Sequence, residues 1–322
     1  MPTYPGISSE ALRHPLDREA EETLRSLPGF DLVARKFVEF VYERPQFVYN
    51  MGNSIEVGPR QYSTVYQIFR QCVRDLDIAP EPSLFISQTP LANAYSLGKE
   101  NPSITLNAGL LDLMEEAEIR SVIAHELGHI KCGHTILIQM ALWAISTATY
   151  IGELTFGFGN FIGTGLIYAF YEWRRKAELS ADRASLLVLD DLNPVMRSMM
   201  KLAGGSGKYA NEISLKEFVK QSQRYQELDL DSLNQIYKLL LYNGAQGSIL
   251  SHPFPVDRIS YLQEWWQSAE YRQIRTGNYQ REGEDGSIDV ATAEAEQAES
   301  LRRQIEKLQQ EIDRAKQRKS SG

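Results

Sequence analysis

The chain has 322 residues, of which 34 are Lys or Arg and 42 are Asp or Glu, so its formal net charge is −8 at pH 7. This length allows one large domain or two small ones, and a composition with 43% hydrophobic and 24% charged residues excludes disorder of the whole chain. The acidic balance lacks the basic surface of a nucleic-acid-binding protein, so no nucleic-acid partner is expected.

The cysteine count and the N-terminal sequence bear on location. Two cysteines are too few for a disulfide framework or a thiolate zinc cluster, which is typical of a reducing compartment. No apolar core follows a basic flank in the first eighteen residues, so no signal peptide is predicted. We therefore expect a cytoplasmic protein.

A helix is predicted over residues 65–76, because its apolar side chains recur at three- and four-residue steps and form one face. The members of this face are Val65, Ile68, Phe69, Cys72, Val73 and Leu76. We expect the Cys72 side chain in the core rather than as a reactive thiol.

A small sheet and further helices follow. Three short strands bounded by proline- and glycine-containing turns are predicted at Ser83–Ser87, Ala94–Leu97 and Ser103–Leu106. A helix should then run from about Glu115 to Gly133, and Asn193-Pro194 has the form of an N-cap that starts another helix. The predicted fold is α+β and mostly α-helical.

The C-terminal segment differs in kind from the rest of the chain. Residues 276–288 are polar and glycine-containing and predict a linker. Residues 289–322 carry an apolar seam at alternating three- and four-residue steps, which predicts a coiled-coil helix. A lone helix and a helix paired with itself or with a partner both stay open. The main domain is expected at 1–275, with a helical part at 1–80 and the core at 81–268.

Residues 135–171 raise the question of a membrane. Thr135–Gly152 and Leu154–Tyr171 contain no formally charged side chain, and a transmembrane helix needs about 20 mostly apolar residues. Both stretches contain polar residues and are marginal. Buried or monotopic helices are favoured over a two-pass hairpin, which would return the chain to the cytoplasmic side at Arg174-Arg175-Lys176. Membrane association, with the active site facing the cytoplasm, is left open.

The predicted helix from Glu115 contains His125-Glu126-Leu127-Gly128-His129. Four residues turn a helix by about 400°, so the two histidines lie one above the other on the same face. Imidazoles at this spacing can hold one zinc ion, and Glu126 can reach a water molecule bound to it. Two core histidines and a surface glutamate are the alternative. His134, about 140° around the helix from His129, is expected beside the site or on the surface.

A catalytic zinc has three protein ligands and keeps a fourth position for water. A long metzincin would have glycine three residues and histidine six residues after His129, but Cys132 and Thr135 stand there, so that class is excluded. The third ligand is then predicted to be Glu178 on a second helix. Asp182, four residues later on the same helix face, is predicted to accept the far N–H of a ligand histidine.

These motifs resemble the M48 family of zinc metallopeptidases, related to CAAX prenyl protease 1 and the HtpX-like heat-shock proteases. The resemblance rests on the His125–His129 motif, on Glu178-x-x-x-Asp182 and on a later Ser251-His252-Pro253, which stand in the family's order. It covers roughly Pro80 to Leu262 and implies a gluzincin-like core with a small edge β-sheet. A soluble or peripheral peptidase of the kind common in bacteria fits better than the CAAX protease, because the full set of membrane spans is absent.

The resemblance also implies roles for residues outside the ligand set. The family has a His-Pro pair followed by a helix-borne arginine, so His252 would donate to the oxyanion and Arg258 would pair with a carboxylate of the zinc site, first of all Glu178. In similar zinc peptidases an Asn-Ala edge strand lies along the cleft, so Asn93 and Ala94 would bind the substrate backbone. A loop histidine, a surface arginine and an ordinary turn asparagine are the alternatives.

We therefore predict a zinc-dependent metalloendopeptidase that binds one zinc ion per chain and hydrolyses polypeptides, with Glu126 as general base and protein quality control as its setting. The alternative is a non-catalytic adaptor in which the zinc is structural and the coiled-coil tail binds a partner. Glu126 argues against it, since a structural site needs no general base. Homo- or hetero-oligomers through the tail are the further expectation.

Overall fold

The computed structural model describes residues 3–27, 29–31, 34, 44–99, 101–140, 158–228, 232–242 and 252–283. Within them, helices surround one small four-stranded sheet, so the prediction of a mostly helical α+β fold is confirmed. The chain divides into two compact units, residues 1–279 and 280–322, and the first of these is described below. The coiled coil at 289–322 lies outside the described residues. The coiled coil, the linker and the domain boundaries stay predictions.

Among the described residues, four helices precede the main part of the sheet. They are α1 (Ser9–Leu12), α2 (Pro15–Ser26), α3 (Arg44–Asn53) and α4 (Ser63–Asp75). Helix α2 starts with proline at its first position, and the His14 side chain accepts the Leu16 N–H (3.1 Å), which satisfies one backbone donor of the first turn. Helix α4 is the one expected from apolar spacing, and Cys72 is fully buried in the core.

The sheet has the strand order β1-β2-β4-β3. Its strands are β1 (Ile55–Glu56), β2 (Ser83–Ser87), β3 (Ala94–Leu97) and β4 (Ser103–Asn107). Strands β2 and β4 are parallel, and β3 runs antiparallel to β4 with Ala94 opposite Leu106. Strand β4 is buried along its whole length, as expected for a strand with neighbours on both sides. Strand β3 is the last strand at its edge among the described residues.

Two helices beside the sheet carry the motifs, after the short α5 (Ala108–Leu113). They are α6 (Glu116–Lys131) and α7 (Phe158–Leu189). Helix α6 starts at a capping box formed by Glu115 and Glu118. It contacts β3 on one side and packs along α7 on another. At Gly128 a Cβ atom would lie only 2.7 Å from the Cβ of Ala184, so glycine is what permits this close packing.

The remaining helices are α8 (Leu192–Gly204), α9 (Leu215–Leu228), α10 (Ser232–Tyr242), α11 (Pro255–Gln267) and α12 (Ala269–Arg275). The cap of α8 is Asp191, whose side chain accepts the Asn193 N–H (2.9 Å). The predicted Asn193 cap was therefore wrong by two residues, because Asp191 is an equally good capping residue and comes first. Tyr4 ties the two ends of the unit together: it donates to the Leu187 carbonyl (3.1 Å) and accepts from Arg275 (3.1 Å).

The structure bears only in part on the membrane alternatives. In the described part of the chain, no helix is both long and apolar enough to cross a membrane. Residues 141–157, in the middle of the stretch on which the hairpin depends, lie outside the described residues. Membrane association through 135–171 stays a prediction.

Candidate metal centre

Helix α6 brings His125 and His129 together on its inner face. Their Nε2 atoms are 3.2 Å apart, and the two rings meet edge to face. The His129 side chain is 5% exposed and that of His125 is 13% exposed. The four-residue spacing therefore gives the predicted arrangement, with both Nε2 atoms aimed at one point.

Helix α7 supplies Glu178 to the same point. Its Oε2 lies 3.2 Å from His125 Nε2, and its Oε1 lies 3.5 Å from His129 Nε2. One ligand atom from each of these three residues falls within 4.8 Å of the others, a spacing that can hold a metal ion. Gly128 contributes indirectly, because it lets α6 and α7 approach closely enough for their ligands to converge.

The donor set fits a zinc ion. Two imidazole nitrogens and a carboxylate oxygen are the ligands of a His₂Glu catalytic site, which leaves a fourth position open. Glu178 Oε2 is buried and has no hydrogen-bond partner among the described residues. A buried carboxylate oxygen that makes no hydrogen bond is costly, and a metal cation bound at this point would satisfy it.

Asp182 and Arg258 surround the ligands. Asp182 Oδ1 lies 3.0 Å from His125 Nδ1, so a proton on Nδ1 leaves Nε2 free for a metal. Arg258 donates from Nε and Nη2 to Asp182 (2.8 and 2.5 Å), and its Nη1 lies 3.3 Å from Glu178 Oε2. Arg258 thus bridges both carboxylates. Its stronger contact is with Asp182 and not with Glu178 as expected, because Asp182 presents both oxygens to the planar guanidinium.

This network shifts the pKa values of its members. Burial alone raises the pKa of Glu178, but His252 and Arg258 outweigh it and hold this pKa well below its usual value. Burial also raises the pKa of Asp182, and Arg258 brings it below the usual value. Burial lowers the pKa of His125, whereas hydrogen bonds with Asp182 and Glu178 raise it, to about 9 overall. The carboxylates therefore carry charge at neutral pH and attract a cation.

The two predicted catalytic residues, Glu126 and His252, come from different segments of the chain. Glu126 follows His125 on α6 and is 6% exposed, and its carboxylate makes no hydrogen bond to any residue in the described ranges. His252 stands before α11, with its side chain 48% exposed and its Nε2 3.5 Å from Glu178 Oε1. Attraction to Glu178 raises the pKa of His252. Burial and the charges of Arg174 and Arg258 together lower it by more, so the pKa of His252 falls below its usual value.

The predicted strand at Ala94–Leu97 is present as β3, and its role in substrate binding stays a prediction. Ala94 opens β3, and the carbonyl of Asn93 accepts the Asn107 N–H (3.0 Å). The Asn93 side chain is exposed, and β3 contacts α6. Asn93 and Ala94 are thus beside the metal-ligand helix, but they are not part of the ligand cluster.

Two further buried residues, His134 and Asp17, lie next to the cluster, and Asp17 was not predicted from the sequence. His134 lies directly against His129, and Asp17 of α2 lies against His134. Of the two positions expected for His134, beside the site or on the surface, the structure has the first, because α6 ends at Lys131 and Gly133 adopts a positive φ of 71°, which turns the chain back towards the site. Nothing in the local sequence of Asp17 marks it, since its partner is far along the chain.

A histidine pair and a glutamate on two packed helices, beside a small sheet with an edge strand, define a metallopeptidase centre. The family model described as peptidase family M48 matches residues 59–266. The chain belongs to this family, and it is a metalloprotease that acts on polypeptides. The predicted family and enzyme class are confirmed, and the enzyme is favoured over the adaptor.

Two relatives of known class, a plant metallopeptidase and a bacterial protease, support this assignment. The chain is 32% identical over 275 residues to the plastoglobule-localized metallopeptidase 48, chloroplastic, of Arabidopsis thaliana, covering 84% of this chain and 76% of that protein. It is 23% identical over 262 residues to the protease HtpX homolog of Moorella thermoacetica, covering 73% and 83%. The crystal structure of Ste24p from S. mikatae has a TM-score of 0.36 and 16% identity, over 72% of this chain and 55% of that one.

The cytoplasmic location predicted from the sequence is wrong. The Arabidopsis relative, which matches 84% of this chain, is plastoglobule-localized and chloroplastic, which does not support a cytoplasmic protein. The cysteine argument failed for a physical reason: Cys72 and Cys132 are both buried, so they report core packing and not the redox state of a compartment.

Proposed function

We propose that this M48 peptidase is a zinc-dependent endopeptidase that holds one zinc ion per chain through His125, His129 and Glu178. The observation that carries the proposal is the convergence of these three ligand atoms at a buried point where Glu178 Oε2, although paired in charge with Arg258, makes no hydrogen bond within the described part of the chain. When bound, zinc polarises the scissile carbonyl and lowers the pKa of the attacking water.

Glu126 is the general base in this proposal. Its position next to His125 on α6 places a buried carboxylate beside the ligand cluster. Because that carboxylate accepts no hydrogen bond from the described residues, it is available to take a proton from the attacking water and to deliver it to the leaving amine.

His252 and Arg258 have separate roles. His252 is close to Glu178 (Nε2 to Oε1, 3.5 Å), and its half-exposed ring can donate to the carbonyl oxygen of a substrate as negative charge develops there. Arg258 and Asp182 hold the ligands: Asp182 fixes the proton of His125 on Nδ1, and Arg258 binds both carboxylates and offsets part of their negative charge.

Strand β3 is the proposed substrate-binding element, starting at Asn93 and Ala94. It pairs with β4 on one side, and among the described strands its other side has no neighbour. An extended peptide can add to such an edge through main-chain hydrogen bonds. Main-chain recognition accepts many sequences, so unfolded polypeptides are suitable substrates, which supports protein quality control as the setting.

The decisive test compares wild type with Glu126→Gln in zinc content and in cleavage of casein and of an unbiased peptide mixture. Both proteins should hold one zinc ion, while the variant should lose about 10²–10⁴ in kcat, the usual contribution of a positioned acid–base group. Glu116→Gln is the matched control, since Glu116 is an exposed glutamate on the same helix. Full activity of zinc-loaded Glu126→Gln contradicts the proposal.

The proposed setting, protein quality control, is tested by comparing the unfolded and native states of one substrate protein. Reduced, unfolded lysozyme should be cleaved much faster than the native form, because only an unfolded chain can lie along β3 in extended form. Equal rates on both forms would contradict main-chain recognition at this edge, and with it the quality-control setting.

A further inference from the structure

A chain of buried contacts leads from the ligand His129 to the N-terminal helix α2. His129 Nδ1 lies 3.0 Å from His134 Nδ1, and His134 Nε2 lies 3.0 Å from Asp17 Oδ2. The side chains of His134 and Asp17 are both 0% exposed. The mechanism proposed above uses neither residue.

The direction of each hydrogen bond follows from metal binding. If His129 Nε2 gives its lone pair to the metal, the proton of the ring must be on Nδ1. His129 therefore donates from Nδ1, and His134 must accept at its own Nδ1. The proton of the His134 ring is then on Nε2 and is donated to the Asp17 carboxylate. No other assignment satisfies both contacts while His129 binds a metal through Nε2.

We propose that His134 and Asp17 are positioning residues that fix the tautomer and orientation of His129, so that the N-terminal helix α2 is part of the metal centre. This inference rests on the proposed metal site. It gives the two ligand histidines parallel supports, since His125 contacts the Asp182 carboxylate directly and His129 reaches the Asp17 carboxylate through a second imidazole. Such outer partners raise the basicity of a ligand histidine and hold its ring in place.

The surroundings of Asp17 suit this role. Ser180 of α7 donates to Asp17 Oδ2 (2.6 Å), and Arg13 Nε lies 3.8 Å from the same oxygen. Burial raises the pKa of Asp17, but His134 and Arg13 outweigh it and keep the pKa well below its usual value. The Trp173 ring packs edge to face against His134 at 5.7 Å. The Asp17 carboxylate is thus charged and fixed in place. The His134 imidazole, between Asp17 and His129, has one orientation.

Asp17 lies on the N-terminal part of the chain, outside the residues that the family model matches. The family match begins at residue 59, whereas Asp17 lies on α2 (Pro15–Ser26). Ser180 also accepts the backbone N–H of His14 (2.9 Å). The start of α2 is therefore hydrogen-bonded to a residue of α7 that stands two positions after the ligand Glu178. Docking of α2 and metal binding at His129 are therefore coupled.

The test measures zinc affinity by competition with a chelator, in the full chain, for wild type, His134→Phe and Asp17→Asn. Phenylalanine keeps the contact with Trp173 but cannot accept from His129. Because outer partners of ligand histidines contribute about 10–100-fold to metal affinity, His134→Phe should lose close to 100-fold. Asp17→Asn keeps an oxygen for both donors and removes only the charge, so its loss should be nearer to 10-fold. The absorption spectrum of the cobalt-loaded protein should change in both variants.

Glu21→Gln is the matched control. Glu21 is a buried acid one turn after Asp17 on the same helix, where it pairs with Arg13 and Arg25 and does not contact His134. Its metal affinity and cobalt spectrum should equal those of wild type, whatever the loss in thermal stability of the metal-free protein.

The outcomes separate this inference from the proposed function. If wild type binds no zinc, both the proposed metal site and the positioning role of His134 and Asp17 fail. If wild type binds zinc and His134→Phe and Asp17→Asn bind it equally well, only the positioning role is overturned. A Glu21→Gln variant that loses as much affinity as Asp17→Asn also overturns it, because helix docking would then explain the loss. If Asp17→Asn does not fold, His134→Phe and the cobalt spectrum decide.

Discussion

Gly128 offers a sharp test of how helix packing sets the metal geometry. In Gly128→Ala the new Cβ would lie 2.7 Å from Ala184 Cβ and 3.0 Å from Ala181 Cα. Ordinary contacts begin at 3.4 Å, so α6 and α7 must separate locally by about 0.7 Å. The ligands His125 and His129 are on one of these helices, and Glu178 is on the other.

Two opposing effects determine the stability of this variant. Overpacking a close helix contact costs about 1–3 kcal/mol, whereas alanine in place of glycine inside a helix favours folding by about 1 kcal/mol. The net loss in free energy of unfolding is therefore about 0–2 kcal/mol, small enough for the protein to fold. The effect on catalysis should be larger than the effect on stability, because a misplacement of about 1 Å can lower the rate by about 10²-fold. We expect zinc affinity and kcat/KM to fall by about 10- to 100-fold.

The assay combines chelator competition, kcat/KM on a peptide substrate and thermal unfolding of the metal-free protein. Gly204→Ala is the control: Gly204 ends α8, and an added Cβ there would meet no atom within 4 Å. It should leave zinc affinity and activity unchanged. If Gly128→Ala also binds zinc and turns over substrate like wild type, the close approach of α6 and α7 does not set the ligand geometry.

The other predictions concern residues around the same centre and the two thiols. His252→Ala should retain zinc and lose about 10²–10³ in kcat, as when an oxyanion donor is removed; an unchanged kcat would exclude that role. Arg258→Lys should lower zinc affinity or thermal stability and not kcat alone, because a lysine cannot reproduce the forked contact with two carboxylates. Asn93→Ala should raise KM at unchanged zinc content, and an unchanged kcat/KM would remove Asn93 from the substrate site. Burial raises the pKa of Cys72 and Cys132 to about 12, so neither thiol should react with a thiol reagent at pH 8 until the protein unfolds.

The ligand cluster was predictable because its signals are local. The spacing of His125 and His129 depends only on helical geometry, and so does the pairing of Glu178 with Asp182 on one face of α7. The three strands were also marked by local turns and β-favouring residues. In each case the sequence near the residue contains the information that places it.

Other parts of the site depend on contacts between distant segments. Asp17 meets His134 across more than a hundred residues of chain, and no pattern near either residue announces the contact. The sequence left His134 either beside the site or on the surface, and the turn at Gly133 that decides between the two lies beyond a helical projection. Arg258 was assigned mainly to Glu178, yet its forked contact is with Asp182, a choice that depends on the relative positions of α7 and α11.

If substrates bind along strand β3 as proposed, the length of this strand limits how tightly they can be held. Four residues, Ala94–Leu97, extend over about 13 Å at about 3.3 Å per residue, and the bonds of alternate residues are already directed towards β4. Only about half of the backbone donors and acceptors of β3 are therefore directed outward, enough for a few hydrogen bonds at about 0.5–1.5 kcal/mol each. A docking edge this short favours brief encounters and rapid release of both cleavage products. It also offers little surface to the strand edge of another copy, which protects the enzyme from pairing with itself.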